Sequence, residues 1–599
     1  MKRARNNGTI WGIKLVTVCA LILSASWAFG GSRKISKDLE ANSASGQVDV
    51  IVQFNQAPTA DMHEKVLRRG GELKRKLGHF KGAAYTIPAS ALDSVAADPD
   101  VVFISPDRPL RSSGRGSSWV NDYHTGTINA PAAWAQGLNG AGIGVAVIDS
   151  GMINSPEFNN WNVVYSENFV GGATGSANDQ YGHGTHVAGI IAGNGAASSG
   201  PQYSYHFLGI APNVNIINLR VLDQNGQGTD SEVIAAIQTA IQLKNKYNIR
   251  IINLSLGRGV YESYALDPLC QAVEEAWKAG IVVVVAAGNG GRNDAADTDG
   301  YGTITAPGND PYAITVGAMN TMGTVDRTDD VPASYSSKGP TLWDHVVKPD
   351  LVAPGNLVIS VYKAGEILNR ESPDNAIQMS LYHNGNNKNA SATYFVLSGT
   401  SMAAPMVSGA VALMLQQDPS LTPDQVKARL MKTAFKDLVP YATAKDQTTG
   451  VTYNLQADIF TVGAGLLDIQ AALANTDLAP AAVGSAMSPT AAIDSSGNVV
   501  MLVNGSSAMW GTSAMWGTSA MWGTSAMWGT SAMWGTNVLL GTDASGQSVM
   551  WGTGSLAADD ALWGNSSVDS ESAMWGTSVM WGTNASAPDA QSGLLGDTP

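Results

Sequence analysis

Ile143-Gly144-Val145-Ala146-Val147-Ile148-Asp149-Ser150-Gly151 is an unbroken apolar run closed by a carboxylate and a glycine. An alternating run would bury one face. A continuous one buries both, as a strand inside a covered parallel sheet does. Asn215–Val221, Ile249–Leu254, Ile281–Ala287 and Ala313–Val316 have the same character. Between these runs, Val187–Ala192, Ser231–Tyr247 and Leu266–Ala279 have helical spacing or composition, with Asp230 placed to cap the second. Strands alternating with helices over 119–475 predict an α/β domain with a mainly parallel sheet covered by helices. Such sheets carry their sites at the carboxyl ends of strands, where Asp149 stands.

Two further motifs fall at helix starts. Gly182-His183-Gly184-Thr185-His186-Val187-Ala188-Gly189 puts an imidazole at the entrance to a small-residue helix. Ser398-Gly399-Thr400-Ser401-Met402-Ala403-Ala404-Pro405 crowds small residues round one hydroxyl at the start of an apolar helix. Free amide N–H groups there favour negative charge, which an acyl-transfer nucleophile needs as its oxyanion develops. Pro405 is expected in the first turn, where a missing N–H costs little. Each motif alone has a bland reading: a turn cap for Asp149, a core histidine, a capped helix start for Ser401. Together they supply a nucleophile, a base to take its proton and a carboxylate to orient the base.

With these motifs in this order, the sequence closely resembles the subtilisin-like (subtilase) serine proteases, for which Asp before His before Ser is the known chain order. The likeness extends through Gly209-Ile210-Ala211-Pro212, Asn253-Leu254-Ser255-Leu256-Gly257, Ala286-Ala287-Gly288-Asn289 and Lys348-Pro349-Asp350-Leu351-Val352-Ala353-Pro354-Gly355. The resemblance implies a three-layer fold and a triad in which Asp149 orients His183, His183 is base and then acid, and Ser401 attacks. It implies Asn289 as the oxyanion-hole amide, with His186 structural. Ser255, Leu256 and Gly257 would pair with an extended substrate, and Ala287 and Gly288 would join them in substrate binding. No cofactor is required for the chemistry. Calcium is common in the family, but no ligand run here is dense enough to assign.

The flanks carry their own signals. Lys2, Arg3 and Arg5 precede an apolar run, Leu15 to Leu23, and then Ser26 and Ala28, the pattern of a cleaved export signal over 1–28. Of the two cysteines, Cys19 would leave with that signal, and Cys270 reads as a packing residue. Residues 48–107 read as a small α+β unit: strands Val48–Phe54, Gly82–Ile87 and Val101–Ile104, with Ala60 to Leu77 helix-compatible. It resembles the family's inhibitory prodomain, which makes it an intramolecular partner. Residues 108–118 read as a flexible, cleavable linker, with self-cleavage between Asp107 and Trp119.

From 476 to 599 the chain has no Lys, Arg or His and repeats Ser-Ala-Met-Trp-Gly-Thr, with Trp510, Trp516, Trp522, Trp528 and Trp534 in register. A six-residue period puts every Trp on one face of a strand. Extended or solenoid-like structure competes here with disorder. The repeat is a candidate binder of a surface or glycan, and its deletion from 476 onward is expected to spare activity. The formal net charge of −14 argues against nucleic acid and anionic membranes as partners. Protein or peptide substrates, a monomer and secretion fit the whole. The enlarged loop 290–305, with Asp294, Asp297 and Asp299, and the long polar stretch 361–393 leave residue preference open.

Overall fold

The apolar runs become one eight-stranded sheet. In a computed structural model of the chain, residues 34–36, 39, 46–77, 81–111, 123–158, 162–172, 175–293, 298–446, 449–493 and 499–502 are described. The expected export signal, residues 112–118, Asp294, Asp297 and the Trp repeat lie outside them. The chain forms two compact units, Met1–Pro106 and Asp107–Pro599.

The first unit is an antiparallel four-stranded sheet of β1 (Gln47–Phe54), β2 (Glu72–Leu77), β3 (Gly82–Pro88) and β4 (Val101–Pro106), in the order β2-β3-β1-β4. Helices α1 (Ala60–Leu67) and α2 (Leu92–Ala96) accompany it. Val50, Val52, Met62, Val66, Tyr85 and Ile87 share its core. The stretch 60–77 is not one helix, as its composition suggested. Gly70, at φ +88°, breaks it, and a side chain at Gly71 would meet Val66. Beyond that break Glu72–Leu77 pairs with β3, so sheet hydrogen bonding overrides the helix-compatible composition.

In the second unit β5 (Pro109–Arg111) precedes β6 (Gly144–Asp149), β7 (Val163–Asn168), β8 (Asn215–Arg220), β9 (Gln227–Thr229), β10 (Ile249–Leu254), β11 (Val282–Ala286), β12 (Ile314–Asn320), β13 (Val331–Pro332) and β14 (Leu351–Pro354). The sheet order is β13-β12-β11-β10-β6-β8-β7, with β14 also on β12, and every pairing but β12–β13 is parallel. Strands β6, β11 and β12 are buried end to end, as their lack of alternation requires. Helices α3 (His183–Ala192) and α6 (Thr400–Gln417) pack together against the sheet, as α4 (Asp230–Tyr247) and α5 (Pro268–Lys278) do. Helix α7 (Pro423–Thr433) follows α6.

The long stretch 361–393 builds structure of its own. Strands β15 (Val358–Val361), β16 (Ala376–Gln378) and β17 (Ala390–Leu397) form a small antiparallel sheet. Phe207, Tyr382 and Tyr394 make its aromatic core. Cys270 is fully buried beside Asn309, a packing position.

Three local expectations are corrected. Thr229, not Asp230, is the N-cap of α4; its N–H donates to Glu232 (3.0 Å), while Asp230 holds Arg258 instead. The linker's first residues, 108–111, are ordered in the second unit: β5 runs antiparallel to β9. The tail does not begin at 476. Ser488 Oγ donates to Asp350 (2.6 Å), Ala486 N to Asp424 (2.8 Å), and Val347 N to Pro489 O (2.8 Å). Strands β20 (Thr490–Ile493) and β21 (Val499–Leu502) then close as a hairpin, after the separate pair β18 (Tyr441–Lys445) and β19 (Thr452–Gln456). Apolarity alone does not mark 476–493 as part of the domain, because polar anchors tie it down.

Candidate active site

Asp149 is the last residue of β6, and the strand's exit fixes its carboxylate. Oδ1 accepts from the Ser150 N–H (2.7 Å) and from His183 Nδ1 (2.7 Å). Both side chains of the pair are essentially inaccessible to solvent, 0% for His183 and 1% for Asp149. The bond to Nδ1 leaves Nε2 as the imidazole's second nitrogen, and Nε2 has no hydrogen-bond partner.

His183 opens α3 because Gly182 turns the chain at φ +110°, and Asp179 holds that turn. Asp179 accepts from the N–H groups of Tyr181 (3.1 Å), Gly182 (2.8 Å) and Thr185 (2.8 Å), and from the hydroxyls of Thr185 (2.7 Å) and Ser150 (2.9 Å). Burial pushes its carboxyl up, and the donors of Gly182, Thr185 and Ser150 oppose that push. Ser150 Oγ also accepts from Gly184 N (2.8 Å), so the Asp149 and His183 motifs are bonded directly. Sequence reasoning missed Asp179. Its signal was a carboxylate just ahead of a helix start. His186 points away from this site: Nε2 meets Phe395 O (3.1 Å), and burial lowers its pKa to about 3, which keeps it neutral and structural.

Ser401 is the second residue of α6 and 3% exposed. Its Oγ donates to Ser255 O (3.1 Å) and does not bond His183, so the structure assembles two halves of the site without the hydrogen bond between them. Pro405 is the sixth residue of α6, not part of its first turn. It therefore removes the N–H that would reach the Ser401 carbonyl four residues back. Ser255 Oγ replaces that donor (3.0 Å), and is itself held by Asn253 Nδ2 (2.9 Å), whose Oδ1 accepts from Ser408 (2.8 Å). A proline that would break a helix is thus matched to one hydroxyl at the end of β10. Ser255→Ala is expected to lower the unfolding free energy by about 1–3 kcal/mol in urea titrations, the cost of a buried carbonyl left unmatched. An unchanged midpoint would show another donor at Ser401 O.

Asn289 follows β11. Its Oδ1 accepts from Thr400 N (2.9 Å) and Thr400 Oγ1 (3.1 Å), which turns the amide nitrogen to the opposite side. Ala287 and Gly288 use their own main chain internally. Ala287 bonds Val316 O and Thr305 N, and Gly288 bonds Thr400 Oγ1 and Ser337 N. They are placed as wall, not as partners for a peptide backbone. Gly288, at φ +106°, has no room for a side chain, since a Cβ would lie 2.7 Å from the Thr305 methyl. Gly257, across from it, also abuts Thr305. Ser255, Leu256 and Gly257 continue straight from β10, beside Ser401.

The stretch 361–393 also touches the site. Ile367 N and Leu368 N donate to Gln180 O (3.2 Å) and Tyr181 O (3.0 Å), just ahead of His183. Glu366 lies against Gly182, 6% exposed, with Oε1 unpartnered. Burial first, and then Asp179, push its carboxyl from 4.5 up to about 8. A raised carboxyl favours the fold most below pH 4.5 and loses that contribution as pH rises through 8. Glu366→Gln is therefore expected to be more stable than the parent at pH 9 and no more stable at pH 4, read by thermal melts at both. A constant difference between the two would place the proton elsewhere.

Among the described residues, no group of three or more His, Cys, Asp or Glu side chains is arranged to hold a metal ion, and no helix is long and apolar enough to cross a membrane. The sequence matches the subtilase family, Peptidase S8, over residues 140–465. It is 40% identical over 301 residues to serine protease AprX of Bacillus subtilis, covering 49% of this chain and 62% of that one. It is 32% identical over 437 residues to subtilisin E of the same organism, covering 72% of this chain and 92% of the relative. The fold is similar to that of fervidolysin from Fervidobacterium pennivorans, with a TM-score of 0.54 and 20% identity over 78% of this chain and 66% of that one. On its sequence matches and its fold, the chain belongs to the subtilase family as a subtilisin-like serine endopeptidase.

Proposed function

We propose that the protein is a secreted endopeptidase, made as a zymogen, that cleaves peptide bonds through an acyl-enzyme on Ser401. The observation that carries the reading is the pairing of a buried Asp149–His183 bond at Nδ1 with an unpartnered Nε2. That imidazole is oriented and poised to accept a proton. Ser401 Oγ leaves the Ser255 carbonyl and attacks the scissile carbonyl carbon, giving its proton to Nε2. The Asn289 amide and the Ser401 N–H hold the oxyanion. His183 then protonates the departing amine, and water, deprotonated by the same imidazole, hydrolyses the ester. Asp149 stabilises the imidazolium throughout. Ser255–Gly257 aligns the peptide through main-chain bonds, which tolerate many side chains. The unit ending at Pro106 serves as the inhibitory partner, removed by self-cleavage after it.

A fluorophosphonate probe on the processed protein, with casein hydrolysis alongside, tests this reading. Labelling at Ser401 with cleavage supports it. Neither labelling nor cleavage would favour a scaffold whose repeat binds partners. Labelling with hydrolysis of esters only would favour an esterase or acyltransferase.

A further inference from the structure

The chain just after the first unit is held by a pocket, not merely tethered. Asp107 accepts from the first turn of α4, from Ser231 N (2.8 Å) and Ser231 Oγ (2.5 Å). Arg108 forks onto Glu262 (2.7 and 2.5 Å), lies 4.9 Å above the Tyr261 ring, and accepts from Asp230 N through its carbonyl (3.0 Å). The side chains of Arg108 and Glu262 are 4% and 6% exposed. Behind them Arg258 bonds Asp230 (2.9 Å) and Asp267 (2.8 Å), all three buried. Three carboxylates thus face two guanidiniums, and taking Arg108 away leaves three facing one. Without Arg108, Glu262 must take either a proton or another cation.

The pocket adjoins segments that bond Asp149 and Ser401. Pro109, Leu110 and Arg111 pair antiparallel with Thr229, Gly228 and Gln227. Among the described residues β9 has no other strand partner, so without β5 it is an open edge for an extended peptide. Strand β9 lies against Val221, whose carbonyl a side chain at Gly228 would meet, and the N–H groups of Val221 and Leu222 bond Asp149 O (2.8 and 3.2 Å). On the other side Arg258 directly follows Gly257, in the segment that bonds Ser401.

We infer that Glu262, Tyr261 and the open edge of β9 form a substrate subsite that takes an arginine or lysine side chain well upstream of the scissile bond. Arg108 occupies it before maturation, and basic residues of protein substrates occupy it afterwards. The inference rests on the proposed peptidase reading. It requires that maturation release residues 107–111.

The test uses the full chain after self-processing and internally quenched peptides of the sequence 105–118, with Arg, citrulline or Leu at the position of Arg108. Citrulline keeps the shape and removes the charge. Arg is expected to exceed citrulline roughly tenfold or more in kcat/KM, mainly through KM, as a buried bidentate pair implies. The Arg-to-citrulline ratio is expected to fall toward one in Glu262→Gln. Mass spectrometry is expected to place the mature N-terminus beyond Arg111. Equal rates for Arg and citrulline with the parent protein would overturn the subsite while hydrolysis itself upholds the peptidase. A mature N-terminus at or before Arg111 would also overturn it, since residues 107–111 would not have been released. Failure to cleave these peptides and a short peptide ester alike would overturn the peptidase reading, and the subsite with it.

Discussion

Ser401→Ala is expected to lower kcat on peptides by about a million-fold, the scale on which a triad nucleophile acts, with no change in fold. The local geometry explains why the fold should survive. Ser401 Oγ makes one bond, to Ser255 O, whereas the contacts that set the helix start use Thr400 and the Ser401 carbonyl. Alanine keeps both. Asp149→Asn is expected to be milder, at about 10⁴-fold. Asn can present its Oδ1 to both Ser150 N and His183 Nδ1, as Asp149 does, so orientation can persist while the charge that stabilises the imidazolium is lost. Steady-state kinetics with thermal melts check both variants. The Ser401→Ala protein is also expected to stay unprocessed when purified alone. Maturation of that protein in isolation would sink self-cleavage, and substantial peptide hydrolysis by it would sink the acyl-enzyme.

Ending the chain at Asn475 is expected to destabilise the catalytic unit by about 3–5 kcal/mol, whereas ending it at Leu502 leaves activity and stability unchanged. Lys348 and Lys427, both fully buried, flank Asp350 (2.7 and 3.1 Å). Burial raises the Asp350 pKa, and the two lysines more than offset it, holding the carboxyl below its usual range. Burial draws Lys427 down to about 7, with Asp350 opposing. Ser488 closes this network, donating to Asp350 and accepting from Lys427 (2.8 Å). Nearby, Asp424 joins Trp277 Nε1 (2.9 Å) to Ala486 N, and Ala479 O takes Gln425 (3.0 Å). Removing 476–502 opens a buried charge cluster to partial solvation and strips its partners, which is the costly way to break such a network. The fall in thermal midpoint should reach roughly 5–10 °C. Equal melting of the two truncated proteins would show that this network contributes little. This replaces the expectation that everything past 475 is dispensable.

The order of strands and helices was legible because burial on two faces writes itself as unbroken apolarity. Ile249–Leu254 was placed to the residue, and the neighbouring strands to within a few. The placing of Asp149 at a strand end and of His183 and Ser401 at helix starts was legible because each stands in a long motif. Other features depend on partners far along the chain, and no local pattern reports them. Pro405 inside α6 makes sense only beside Ser255, 150 residues earlier, whose hydroxyl stands in for the missing N–H. Ser485–Ser488 looks like linker until Asp424, Asp350 and Lys427 converge on it. Arg108 reads as one more basic linker residue, and only the folded chain sets Glu262 and Tyr261 around it. Local sequence determined the fold class and the motifs that hold the candidate site, since periodicity and motif spacing are short-range properties. Tertiary structure alone decided which polar groups are matched, because hydrogen bonds and buried charge pairs join residues that only folding brings within 3 Å.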